Sequence, residues 1–134
     1  MNKIHIQFFM PMKPPTVTHQ EHRVTMKSGK PIFYDTPEMK SAKAKLRDSL
    51  AEHIPIKPIN NGVRLMVKWL FPITGNHING EYKLSKPDTD NLQKMLKDIM
   101  TDLKFWTDDA LVASEITEKF YADTPGLFIV IQEL

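Results

Sequence analysis

Residues 86–109 read KPDTDNLQKMLKDIMTDLKFWTDD. Leu92, Met95, Leu96, Ile99, Met100 and Leu103 recur at helical spacing, so the stretch forms an amphipathic helix whose apolar stripe must pack on a sheet. Acids gather at both ends: Asp88 and Asp90 two residues apart at the start, Asp108 and Asp109 at the close. In a continuous helix, residues two apart point to nearly opposite sides, whereas in an extended segment they share a face. Pro87 fixes its own φ and holds Lys86 away from helical angles, which favours an extended approach to the helix. The reading is a loop that delivers two carboxylates beside a helix N-terminus, and sites for Mg²⁺ are built from such few, close oxygen ligands. A plainer reading stays open at this point. Asp is a preferred N-cap and acids in a first turn complement the helix dipole, so nothing need be bound. One capping Asp is ordinary; two at this spacing, with a further pair after one helix, exceed what capping requires.

The flanking stretches supply the sheet. Val63 to Phe71 reads as a strand with Val63, Leu65, Val67 and Trp69 on one side and Met66 and Leu70 on the other, hence a central strand partly covered on both faces. Pro72 stops it. Ile73 to Ser85 has no period and contains Gly75, Asn76, Asn79 and Gly80, so a mobile loop is expected beside any substrate. After Asp109 comes a long strand from about Leu111 to Tyr121, a turn at Asp123–Gly126, and a last strand from Leu127 to Gln132, read as a hairpin. Asp109, at the start of its strand, would lie beside the helix N-terminus if that strand paired next to Val63–Phe71. Phe105 and Trp106 are read as plugging the end of the helix into the core, with stacking on bases as the alternative role. Lys94 lies off the apolar stripe, one turn after Asp90. It either reaches the site or makes a surface pair with Asp90 or Asp98.

Lys86-Pro87-Asp88-Thr89-Asp90-Asn91-Leu92, then Lys94, then Phe105-Trp106-Thr107-Asp108-Asp109, resembles the RusA family of Holliday junction resolvases. The likeness lies in a D-x-D-N segment opening a helix, a lysine one turn on, and a DD pair just before a strand; it is strong from Lys86 to Val112. It implies a small, dimeric, Mg²⁺-dependent endodeoxyribonuclease, with Mn²⁺ able to substitute, that acts on four-way junctions and leaves 5′-phosphate and 3′-hydroxyl ends. It also implies that Asp88, Asp90 and Asp109 bind the metal, and that Lys94 is the functional lysine. Asp108 is read as capping or supporting. Pro87 stands where some members carry a basic residue.

The N-terminal half is read on its own residues. Ile4, Ile6, Phe8 and Met10 alternate with His5, Gln7 and Phe9, giving a first strand from Lys3 to Met10. From Lys13 to Lys30 the chain is polar and basic, with a turn at Ser28-Gly29 and short strands around Arg23–Thr25 and Ile32–Tyr34. His19 and His22 do not form a zinc pattern. Lys13, Arg23, Lys27 and Lys30, with Lys86 beside the acidic motif, are the DNA-binding candidates: a basic arm over DNA, or an ordinary surface hairpin. Thr36 caps a helix with Pro37 at N1, running to about His53, with Met39, Ala42, Leu46 and Leu50 as its stripe.

The 134 residues allow one domain, and the 41% hydrophobic fraction is that of a globular protein. The order of elements predicts an α+β fold, a small mixed β-sheet with two main helices packed on it. No apolar run approaches the roughly 20 residues that span a bilayer. The polar–apolar alternation from Met1 to Ile6 is unlike a signal peptide. There is no cysteine, which excludes disulfides and thiolate metal sites and fits the cytoplasm. The net charge of +2 hides an asymmetry: residues 1–86 hold fourteen Lys and Arg against six Asp and Glu, and residues 87–134 hold four against ten. A region that attracts phosphates is thus joined to one that can hold cations. Two other readings remain: a non-catalytic DNA-binding protein whose aspartates only cap, and a metal nuclease acting on flap or single-stranded DNA.

Overall fold

A computed structural model describes residues 2–18, 23–27 and 29–134. The elements run β1 (His5–Pro11), β2 (Arg23–Lys27), β3 (Lys30–Tyr34), α1 (Pro37–Ala51), β4 (Val63–Pro72), α2 (Thr89–Asp102), β5 (Val112–Ala122) and β6 (Gly126–Glu133). Four strands form one sheet in the order β1-β6-β4-β5, and β2 and β3 form a separate two-stranded ribbon. The fold is α+β, as expected.

The sheet is mixed: β4 runs antiparallel to β6 and parallel to β5. A parallel pair cannot be closed by a tight turn. Here α2 makes the crossover from β4 to β5, so the helix and both strands flanking it in sequence form one unit. The expected hairpin of the last two strands is not formed. Ala122 pairs with Pro72 and Gly126 with Leu70, so the chain passes across the end of β4, where Pro72 stops it, and β6 pairs on β4's other edge. A Cβ on Gly126 would stand 2.4 Å from the Met10 carbonyl and 2.5 Å from the Phe9 ring, so the crossing accepts only glycine without movement.

The alternation of β4 decides where the core lies. Val63, Leu65, Val67, Trp69 and Phe71 are buried on the helix-covered side, while Met66 and Leu70 on the other are half-buried. Cross-strand partners share a face, so Ile131, Ile129 and Leu127 of β6 join the core row. Above it α1 contributes Met39, Ala42, Leu46 and Leu50, the stripe read from the sequence. The Thr36 hydroxyl accepts the Met39 N–H at 3.2 Å, and Pro37 sits in the first turn where a missing N–H costs nothing. From α2 come Leu92, Met95, Leu96, Ile99 and Met100, with Leu103 half-buried. Phe105 and Trp106 are fully buried, and the indole of Trp106 donates to the Thr101 hydroxyl at 2.7 Å. That burial settles their role as core.

The loop before α2 differs from expectation. Gly80 N–H bonds the Tyr121 carbonyl, Tyr121 N–H the Glu81 carbonyl and Lys83 N–H the Lys119 carbonyl, at 2.8, 2.9 and 2.9 Å. Tyr82 stacks on Phe120 and donates to Glu118. The segment is therefore laid along the outer edge of β5 and is not a free loop. An unpaired strand edge offers main-chain donors and acceptors, which aperiodic sequence can satisfy without side-chain patterning. No helix among the described residues is long and apolar enough to cross a membrane.

Candidate active site

The start of α2 divides the two leading carboxylates. Asp88 is the N-cap residue, extended at φ −72 and ψ 148, and its side chain makes no capping hydrogen bond. Asp90 is already in the first helical turn. The two therefore do not share the face of an extended segment: helix formation begins at Thr89, two residues earlier than that reading needs. Both are exposed. The capping role proposed as the plain alternative is unused by Asp88, whose carboxylate is left for another task.

From Asp90 the helix repeat sets one stripe, since residues three and four apart are neighbours. Asp90, Gln93, Lys94, Lys97 and Asp98 line one side of a cleft of about 210 Å³, and Asp109 and Glu115 line the other. Asp90, Lys94 and Asp109 are thus brought together as expected, while Asp88 is outside this lining. Asp109 does not begin the strand. It opens a single 3-10 turn, Asp109–Leu111, which Asp108 caps by accepting the Ala110 N–H at 2.9 Å. That bond occupies Asp108 and turns Asp109 away from the ladder that starts at Val112. The lysine shows both of its expected faces: Lys94 lines the cleft, and its ammonium, on a side chain 67% exposed, stands 3.7 Å from Asp98.

Three residues of this region were missed in the sequence. Lys97 and Glu115 form an ion pair between α2 and β5. Gln93 lies within the apolar stripe and is only 3% exposed, and neither amide atom has a partner among the described residues. A buried amide left unpaired costs about 1–3 kcal/mol, so an amide in this lining is suited to contents of the cleft. The signal for Glu115 lay in register. Leu65 pairs with Glu115, Val67 with Thr117, Trp69 with Lys119 and Phe71 with Tyr121. The face that is apolar on β4 therefore turns polar on β5, and such a switch on an edge strand marks where the core gives way to a site.

Lys119 is the fourth residue missed. Its ammonium donates to the carbonyls of Ser85 and Pro87 at 2.6 and 2.8 Å. Burial, reinforced by neighbouring Lys83, pulls this group below the usual lysine range, while Asp88 and Tyr121 act in the opposite sense. The Lys86–Pro87 bond between these carbonyls is cis.

Of the DNA-binding candidates, Lys86 is exposed beside Asp88, and Lys30 is exposed at the turn of the β2–β3 ribbon. Lys13 is exposed on the rim of a pocket between residues 12–17 and α1, which Lys45 also lines. Arg23 and Lys27 lie on β2, but their side chains are outside what the structure describes, as are His19, His22 and Ser28 altogether.

The donors in the cleft are carboxylate oxygens, without imidazole or thiolate, and that chemistry fits a hard divalent cation. Among the described residues, no three His, Cys, Asp or Glu side chains stand close enough to hold a metal ion as they are placed. The donor set fits in kind, with Asp90 and Asp109 across the cleft and Asp88 two residues before its lining begins.

Residues 3–132 match the sequence model of a family described as Endodeoxyribonuclease RusA. The crossover junction endodeoxyribonuclease rusA of Lactococcus phage r1t is 30% identical over 107 residues, covering 75% of this chain and 76% of the phage protein.

Proposed function

Since this chain belongs to the RusA family of endodeoxyribonucleases, we propose that it resolves four-way and other branched DNA junctions by paired, divalent-metal-dependent nicks. The observation that carries the reading is that Asp90 and Lys94 of α2 and Asp109 of the turn after it line one cleft. The related phage protein is named for crossover junctions, and that substrate is carried here as the proposal.

Asp90 and Asp109 hold Mg²⁺ or Mn²⁺, with Asp88 contributing from the helix cap. Bound there, the cation supplies an activated water and neutralises the scissile phosphate. Lys94 offers a point charge to the phosphate and to the departing 3′-oxygen as charge develops on it. Being exposed and only 3.7 Å from Asp98, it can leave that surface pair at little cost. Gln93 gives its amide to whatever polar group occupies the cleft. Lys86, Lys30, Lys13, Arg23 and Lys27 hold phosphates away from the cut. The products carry 5′-phosphate and 3′-hydroxyl ends.

Two symmetric nicks need two sites, and a homodimer with C2 symmetry is the natural geometry. The sheet face away from the helices, carrying Met66, Leu70 and Ile116, supports a second copy: among the described residues Ile116 is left 45% exposed.

The test is single-turnover cleavage, with and without Mg²⁺, of a synthetic four-way junction beside flap, duplex and single-stranded DNA. Junction cutting in symmetric pairs is expected. Binding without cutting would make this a DNA-binding protein, and preference for flaps or single strands would change the substrate class.

A further inference from the structure

Lys119 stands on the core-side row of β5, paired in register with Trp69, at the point where that row becomes polar. Among the described residues its ammonium makes no ion pair, although the Asp88 charge acts on it from nearby. It donates instead to two main-chain oxygens, Ser85 at 2.6 Å and Pro87 at 2.8 Å, which bracket Lys86 and immediately precede Asp88. Its own carbonyl accepts the Lys83 N–H at 2.9 Å, and the Lys83 ammonium donates to the Ser85 hydroxyl at 2.7 Å. One residue of the sheet thus grips the segment before the acidic motif through both main chain and side chain. Charged donors make stronger hydrogen bonds than neutral ones, and a lysine drawn from water toward neutral carbonyls fixes backbone in a way a surface ion pair does not. Directly after the gripped carbonyls stands Asp88, a carboxylate without a capping bond on the residue where the helix begins.

We propose that Lys119 is a positioning residue of the nuclease site, clamping the Ser85 and Pro87 carbonyls so that the Asp88 backbone is held at the helix start, from which its side chain would turn to complete the cation set with Asp90 and Asp109. The proposal rests on the reading that these aspartates hold a divalent cation. Lys119 itself touches neither cation nor DNA. Its loss therefore weakens cation binding while leaving junction affinity alone.

The test compares wild type with Lys119→Met, which keeps the apolar stem and removes the donors. Mn²⁺ affinity of the DNA-free protein is read by electron paramagnetic resonance, and junction affinity is read in Ca²⁺. The expected result is a folded variant whose Mn²⁺ dissociation constant rises at least about tenfold, in line with the loss on removing an outer-shell partner, with junction affinity unchanged. Its slow Mg²⁺-supported cleavage is restored at saturating Mn²⁺. Mn²⁺ affinity equal to wild type overturns the proposal, as does a wild-type protein that binds no Mn²⁺. If Lys119→Met does not fold, Lys119→Arg decides. Its guanidinium is larger and directs its N–H groups differently from an ammonium, so the two carbonyls are held less closely and Mn²⁺ binding weakens in a folded protein; unchanged affinity overturns the proposal. A wild-type protein that binds Mn²⁺ but cuts no junction defeats the functional reading alone, because the affinity comparison still judges Lys119.

Discussion

Lys97 on α2 and Glu115 on β5 are ion-paired within the cleft that Asp90 and Asp109 line. Both side chains are partly withdrawn from water, at 25% and 31% exposure. The pair keeps the fourth acid of the lining from joining the others as a free charge. Glu115→Gln should therefore cost no more than about 1 kcal/mol in urea unfolding, since the pair is still solvent-screened. Cleavage should stay within about threefold of wild type. A loss of two orders of magnitude would place Glu115 among the cation ligands.

The DD pair separates by function. Asp109→Asn should abolish Mg²⁺-dependent cutting with junction binding retained or tightened, because a negative charge facing phosphate is removed. Asp108→Asn should keep most activity, as an asparagine side chain can still cap the Asp109–Leu111 turn. Asp90→Asn should behave as Asp109→Asn does. Equal, mild effects at 108 and 109 in single-turnover assays would show that the cleft is not where phosphate is cut.

Lys94 tests the surface pair against the site. As a partner of Asp98 alone, Lys94→Ala would change stability by only a few tenths of a kcal/mol and leave turnover untouched. At the site, it should lower the single-turnover rate by at least about a hundredfold with the melting curve unchanged. Lys94→Arg should rescue poorly, since the guanidinium fork is larger and differently directed. A Lys94→Ala rate within about twofold of wild type would return the residue to the surface.

Gln93 should trade stability for activity. Gln93→Met removes two buried unpaired atoms at nearly constant volume, so chemical denaturation should show a gain of about 1–3 kcal/mol. The cleavage rate should fall, because the cleft loses its amide. No gain in stability would mean the amide has a partner in solution.

Salt dependence probes the basic half. The fourteen cations before residue 87 should make junction affinity fall steeply with salt through counterion release. Replacing Lys27 and Lys30 together by Ala should weaken binding to all DNAs by a similar factor and reduce the log–log slope by up to about 2. An unchanged slope would take the β2–β3 ribbon off the DNA.

Much of this could be read from local patterns, because the forces concerned are local. The α1 and α2 stripes, the Thr36 cap and the plug of Phe105 and Trp106 depend on spacing and neighbours a few residues away. So does the gathering of Asp90 with Lys94. Features set by distant pairing were not legible. Strand order put β4 between β5 and β6 in place of a hairpin, and the aperiodic segment before Ser85 found its partner in the edge of β5. Lys119 carries no motif. Its importance comes from a register that sets it opposite Trp69, within reach of carbonyls more than thirty positions earlier. The extended placement of Asp88 and Asp90 failed over two residues, since the start of a helix is decided by competing caps of similar strength.

The β4–α2–β5 crossover also bears on how such a protein can change over generations. Asp88, Asp90, Lys94, Asp109 and the lysine that grips the approach to them all lie on consecutive elements between Val63 and Ala122. The proposed chemistry is thus written as one uninterrupted cassette. β1 and α1 precede it but build the shared core, so they are held in place with it. The β2–β3 ribbon belongs to neither, and substrate geometry can be varied there by changing a short insert while the carboxylates keep their frame.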